Sequence, residues 1–75
     1  MRTLSIIYAR GILQAGIANN QRDSSVLRDL ASQCKRDPDF VGKLRHQFGF
    51  TPEQLFKVIR LAIRRADYRV KKGKH

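Results

Sequence analysis

Gly49-Phe50-Thr51-Pro52-Glu53-Gln54 is the stretch that divides the chain. Glycine readily takes the left-handed backbone that ends a helix. Thr51 and Gln54 stand three apart, the spacing at which a hydroxyl and a side-chain amide cap each other's backbone N–H groups. Pro52 falls on the first helical position, where its missing N–H is no loss. One helix therefore stops before Gly49 and another starts at Pro52.

Working outward, the fourth helix is expected from Pro52 to about Val70. Leu55, Phe56, Ile59, Ala62, Ile63, Ala66 and Val70 make its core stripe, and Lys57, Arg60, Arg64 and Lys71 its opposite side. Upstream of Gly49, Phe40, Val41, Leu44 and Phe48 mark one side of a third helix that opens at Asp37-Pro38. Pro38 also ends the second helix, because the residue before proline avoids helical backbone. That helix begins at an Asp23 or Ser24 cap and buries Val26, Leu27, Leu30, Ala31 and Cys34.

The first helix is expected from about Thr3 to Asn19. Its main stripe is Leu4, Tyr8, Ile12 and Ala15, with Ile7 and Ala18 at the margin. A second stripe, Ile6, Leu13 and Ile17, lies nearly opposite. A helix apolar on both sides is buried on more than one face, so Ile6, Leu13 and Ile17 are candidates for contact with a protein partner or a second copy. Gly11 and Gly16 weaken this helix, and Ile6-Ile7-Tyr8 could instead begin a short strand. The fold class expected is all-α, a compact bundle of three to four helices with a helix-turn-helix-like middle. Residues 1–70 form one domain and 71–75 a basic tail.

With 75 residues the chain has room for one modest core, and small domains commonly need a disulfide, a metal or a partner. Cys34 is the single cysteine, so no internal disulfide exists, and with His46 and His75 it matches no zinc spacing. Oligomerisation, as a homodimer through the first helix, or an unusually good helical core is the remaining support. No cofactor is expected. A lone thiol without a secretory signal favours a reducing cytoplasm, and no apolar run is long enough to cross a bilayer. The N-terminal segment, basic and free of acids, is loosely like a transit peptide, and equally the first helix of a core. Paired carboxylates in an apolar setting, a Ser/His/Asp set and a phosphate-cradling glycine loop are all missing, so no enzyme is expected.

Charge carries the functional signal. The net charge is +10, from 16 Lys and Arg against 6 Asp and Glu. From Gln54 onward Lys57, Arg60, Arg64, Arg65, Arg69, Lys71, Lys72 and Lys74 face one acid, Asp67, which is 8 − 1 = +7. A solvated helix usually interleaves acids at i,i+4 spacing; this one hardly does, and its cations repel one another. The pattern suits a polyanion.

Two helices joined around Asp37-Pro38 are the layout of a helix-turn-helix. The outward side of the second would offer Lys43, His46 and Asp39, flanked by Arg45 and Gln47, with Gly42 permitting close approach of a backbone. Leu30-Ala31, Asp37-Pro38, Phe40, Leu44, Gly49-Phe50-Thr51-Pro52, Leu55 and Arg60-Leu61 together resemble the second helix-turn-helix of AraC-type transcription regulators, over Val26 to Leu61. The resemblance implies a recognition helix from Asp39 to Phe48, with Lys43, Arg45, His46 and Gln47 nearest the bases. The turn is one residue shorter than the family's, and Arg64 replaces an expected alanine.

Leu61 and Tyr68, seven residues apart, share a lysine-rimmed face of the fourth helix and could meet a protein or stack on bases. Cys34 sits in a core stripe and reads as a small hydrophobe. The sequence thus suggests a small basic DNA-binding regulator, with DNA favoured over RNA. Its phosphate contacts would come from Lys57, Arg60, Arg64, Arg65, Arg69, Lys71 and Lys72. The alternative is a small adaptor or inhibitor of the kind phages encode, binding an acidic surface of a larger protein or nucleoprotein machine.

Overall fold

A computed structural model describes residues 3–21 and 23–72, with side chains described as far as Tyr68. Its four helices are α1 (Ile6–Ile17), α2 (Ser24–Arg36), α3 (Pro38–Phe48) and α4 (Pro52–Lys72). Among the described residues there is no strand. The fold is an all-α bundle in which every helix touches the other three, α2 and α4 most extensively. The radius of gyration, 12.0 Å, is close to the roughly 11 Å expected of a compact chain this long.

Each boundary has a local cause. Ser5 accepts from the Tyr8 amide at 3.2 Å and so starts α1 at Ile6. The helix ends in a Schellman turn: Asn19 takes a left-handed φ of 61°, its N–H donates to Gly16, and the Asn20 N–H donates to Ala15 at 2.8 Å. Asp23, not Ser24, caps α2 by accepting from the Ser25 amide at 3.0 Å. These hydrogen bonds from Ser25 hold the Asp23 carboxyl below its ordinary pKa.

Asp37 alone separates α2 from α3. Its N–H donates to Gln33 at 2.9 Å to finish α2, and its carboxylate accepts from the Phe40 amide at 3.2 Å to start α3. The few-residue turn expected of a helix-turn-helix is compressed here to one residue. Gly49, with φ of 72°, stops α3. The capping box at α4 is reciprocal: the Gln54 amide donates to Thr51 Oγ1 at 3.2 Å, and the Thr51 amide to Gln54 Oε1 at 2.9 Å.

The core contains Leu4, Ala9, Ile12, Leu13, Leu27, Leu30, Cys34, Phe40, Val41, Leu44, Leu55, Ile59, Ala62 and Ala66. The stripes expected on α2, α3 and α4 are there, with Val26, Ala31, Phe48, Phe56 and Ile63 half-buried at the margins. Val70 has no described side chain. α4 extends to Lys72, past the expected end near Val70.

On α1 the expected faces are wrong in register. Leu13, read as part of a partner-seeking stripe, is fully buried, and Tyr8, read as core, is half-exposed. Ile6 packs against the core, while Ile7 is 81% exposed. The buried face is Ala9, Ile12, Leu13 and Gly16. Small residues win that face because α1 must approach α4 closely: a Cβ on Gly16 would lie 2.9 Å from Ala62 Cβ. A tyrosine there would hold the helices apart. Ile6-Ile7-Tyr8 is helical, not a strand.

Leu4 precedes α1, yet it belongs to the core because Gln33 holds it. The Leu4 N–H donates to Gln33 Oε1 at 2.6 Å, and Gln33 Nε2 donates to the Leu4 carbonyl at 2.9 Å. Gln33 is itself buried, so its amide has both partners it needs in a place water does not reach.

Candidate nucleic-acid interface

The cations of α4 owe their exposure to the core stripe opposite them. Leu55, Ile59, Ala62 and Ala66 turn inward. At about 100° per residue, Lys57, Arg60 and Arg64 then point away from the core, and all three are exposed. Of the two acids of α4, Glu53 and Asp67, the second is drawn off. Asp67 faces α2, where its carboxylate accepts from Arg28 Nη2 at 2.6 Å. Arg28 Nη1 donates in turn to Ser24 at 2.9 Å. This half-exposed bridge contributes at most about 1 kcal/mol to stability, but it takes Asp67 away from the row. Among the described residues no other ion pair forms. Glu53 lies beside Lys57 and Arg60 around an open depression of about 440 Å³, shared with Pro52 and Phe56. The row runs from there toward Tyr68.

Arg65 separates from its neighbours. It points about 100° around the helix from Arg64 and joins Gly16, Ile17, Phe50, Val58, Leu61 and Ala62 around an almost wholly apolar cleft of about 150 Å³. Ile17, expected in one protein-contact stripe with Ile6 and Leu13, and Leu61, expected in another with Tyr68, thus meet in one place. Tyr68, also exposed, lies farther along α4 and is not among the lining residues. Arg69, Lys71 and Lys72 carry side chains outside the described residues.

On α3, Asp39, Lys43 and His46 are exposed on the side away from Val41 and Leu44, and Gln47 is exposed on the flank beside Leu44. Arg45 is exposed but engaged: Nη1 donates to the Phe50 carbonyl at 3.2 Å, tying the end of α3 to the connector. It also points more than 90° from His46 and Lys43 around the helix. Arg45 therefore stands apart from the residues with which it was expected to meet bases. A Cβ placed on Gly42 would meet nothing within 4 Å, so the space over the outer face of α3 is open.

No family model, curated protein or solved structure matches the chain.

Cys34 is buried, and desolvation, with the charge of Asp37 second, pushes its thiol up to about 11. No three His, Cys, Asp or Glu residues gather into a metal-sized group among the described residues. No described helix is long and apolar enough to cross a membrane. Sequence reasoning passed over Gly16, Phe50 and Val58 as site residues. Gly16 was visible only as a weak point in a helix, and Phe50 only as part of a connector. Their convergence on one cleft depends on how α1 crosses α4.

Proposed function

We propose that the protein binds nucleic acid, gripping the phosphates of duplex DNA along the outer face of α4 as a small regulator would. The observation that carries this reading is the exposed row Lys57, Arg60 and Arg64, with Asp67 engaged by Arg28 and Glu53 the single acid beside the row. Cations in such a row repel each other by a few tenths of a kcal/mol per neighbouring pair, and a run of phosphates relieves that repulsion while releasing condensed counterions. Any preference for sequence would come from α3, through Lys43, His46 and Gln47. Arg45 has a different task at the end of that helix. The short junction at Asp37 makes α2–α3 a tighter corner than the usual motif, so a groove contact would be made by the exposed side of α3 beside Gly42.

The test is fluorescence anisotropy with a labelled random-sequence duplex over a series of salt concentrations. Log affinity should fall linearly with log salt. Lys57→Ala, Arg60→Ala and Arg64→Ala should each lower the slope by about 0.9. Lys43→Ala and His46→Ala should instead alter the ranking of different duplexes. Binding whose salt slope ignores all three α4 substitutions would overturn the reading.

A further inference from the structure

We propose that the cleft between α1 and α4 is a second binding site, one that takes a single leucine- or phenylalanine-sized side chain from an acidic segment of another protein. Its walls are Ile17 and Leu61, 44% and 39% exposed, and its remaining lining is Gly16, Phe50, Val58, Ala62 and Arg65. Gly16 lets α1 and α4 meet closely at Ala62, and the cleft opens toward solvent beside that contact, among the described side chains of both helices and Phe50.

Size and chemistry together select the occupant. A volume of about 150 Å³ is that of a cavity able to hold one benzene ring, which suits one side chain and is too small for an extended apolar chain. A nucleobase is a poor fit, because its polar edge would face hydrocarbon and lose its hydrogen bonds to water without replacement. An aliphatic or aromatic side chain loses nothing on entering. Interface anchors are of this kind: one apolar group in a fitted pocket, with a polar rim.

The rim sets the charge of the partner. Arg65 is the one charged residue in the lining and forms no ion pair among the described residues. A carboxylate beside the anchor would meet it, and the +10 charge of the whole molecule would draw an acidic segment in and repel a basic one. A second copy of this chain, with the same net charge, is disfavoured by that field. Because Arg65 points away from Arg64 and the outer row, the cleft can be filled independently of the phosphate-binding face.

The experiment is a methyl and amide NMR titration of the full chain with a capped peptide of glutamates flanking one central leucine. Saturable shifts should appear at Ile17, Val58 and Leu61. Replacing the peptide's leucine by alanine should weaken binding about tenfold or more, the loss expected for one buried leucine. Leu61→Asp should abolish the shifts. Arg65→Gln, at an exposed position with little risk to folding, should weaken binding at low salt and much less at high salt. Equal binding of the leucine and alanine peptides would overturn the proposal, as would shifts confined to Lys57 and Arg60. A single-stranded oligonucleotide that shifts the same methyls and is lost with Leu61→Asp would also overturn it, reassigning the cleft to nucleic acid. Duplex binding is read separately with Leu61→Asp, so failure here leaves the α4 phosphate row untouched.

Discussion

Replacing Gln33 by methionine should destabilise the protein by about 2–3 kcal/mol. The side chain keeps its length but loses both hydrogen bonds to Leu4, at 2.6 and 2.9 Å. The molecule then has two responses. It can leave the Leu4 N–H and C=O buried and unpaired, at about 1–3 kcal/mol for each group. Alternatively, it can release residues ahead of α1 to water and forfeit the burial of Leu4, about 1.5–3 kcal/mol. The less costly response prevails, which sets the figure. In a domain of this size the melting temperature should fall by roughly 10–20 °C. Hydrogen exchange at the Leu4 amide should accelerate more than exchange at Leu44 or Leu55.

Gln33→Glu sharpens the test. Its carboxylate can accept from the Leu4 N–H but cannot donate to the Leu4 carbonyl, so burial raises its folded pKa above the ordinary value of about 4.3. A raised folded pKa gives stability that is complete below the unfolded pKa and disappears as pH rises through the folded one. The deficit of Gln33→Glu relative to the parent should therefore shrink between pH 7 and about pH 4, whereas that of Gln33→Met should not. Urea unfolding at both pH values measures this. A methionine variant within about 0.5 kcal/mol of the parent, or a glutamate deficit that ignores pH, would refute the clamp.

Two glycines of α1 should respond with opposite signs. Gly16→Ala places a Cβ 2.9 Å from Ala62 Cβ, so over-packing of about 1–3 kcal/mol should exceed the gain of about 1 kcal/mol in helix propensity. Gly11→Ala meets nothing within 4 Å and should stabilise by about 0.5–1 kcal/mol; urea midpoints decide both. Cys34, with its thiol near 11 against an ordinary 9.0, should react with a disulfide reagent at pH 8 far more slowly in the folded protein than in urea. Its raised folded value also means that stability is full below about pH 9 and declines as pH climbs toward 11, a decline that Cys34→Ala should flatten.

The helix ends were legible because each is written in residues whose chemistry is local. Thr51 and Gln54 reciprocate, Gly49 turns left-handed, and Asp37-Pro38 closes one helix while opening the next. The stripes of α2, α3 and α4 were legible because each has one apolar side and one polar side. α1 failed on the same ground: with a single charge, Arg10, between Ile6 and Ile17, its periodicity permits more than one inward face. Close packing chose Ala9 and Gly16 over Tyr8, and helix-to-helix distance is not written in periodicity. Gln33 went unnoticed because a glutamine among Ser32, Cys34 and Lys35 looks like surface, and its partner is a backbone 29 residues away. The basic row was plain from charge alone. The departure of Arg65 from that row into the cleft, and of Arg45 from the outer face of α3 to the Phe50 carbonyl, needed the third dimension.

The Arg28–Asp67 bridge has a thermodynamic consequence. By turning Asp67 toward Arg28, it leaves Glu53 as the one acid of α4 beside Lys57, Arg60 and Arg64, so the cations of the outer face still outnumber their counter-charges. Added salt screens repulsion between Lys57, Arg60 and Arg64 and so firms up the empty protein. If α4 grips phosphates as proposed, the same salt strips away the advantage of counterion release and loosens that grip. On that reading, folding and binding should respond to ionic strength in opposite directions. On the proposed reading, a polyanion at low salt would act as a folding ligand and add stability through mass action.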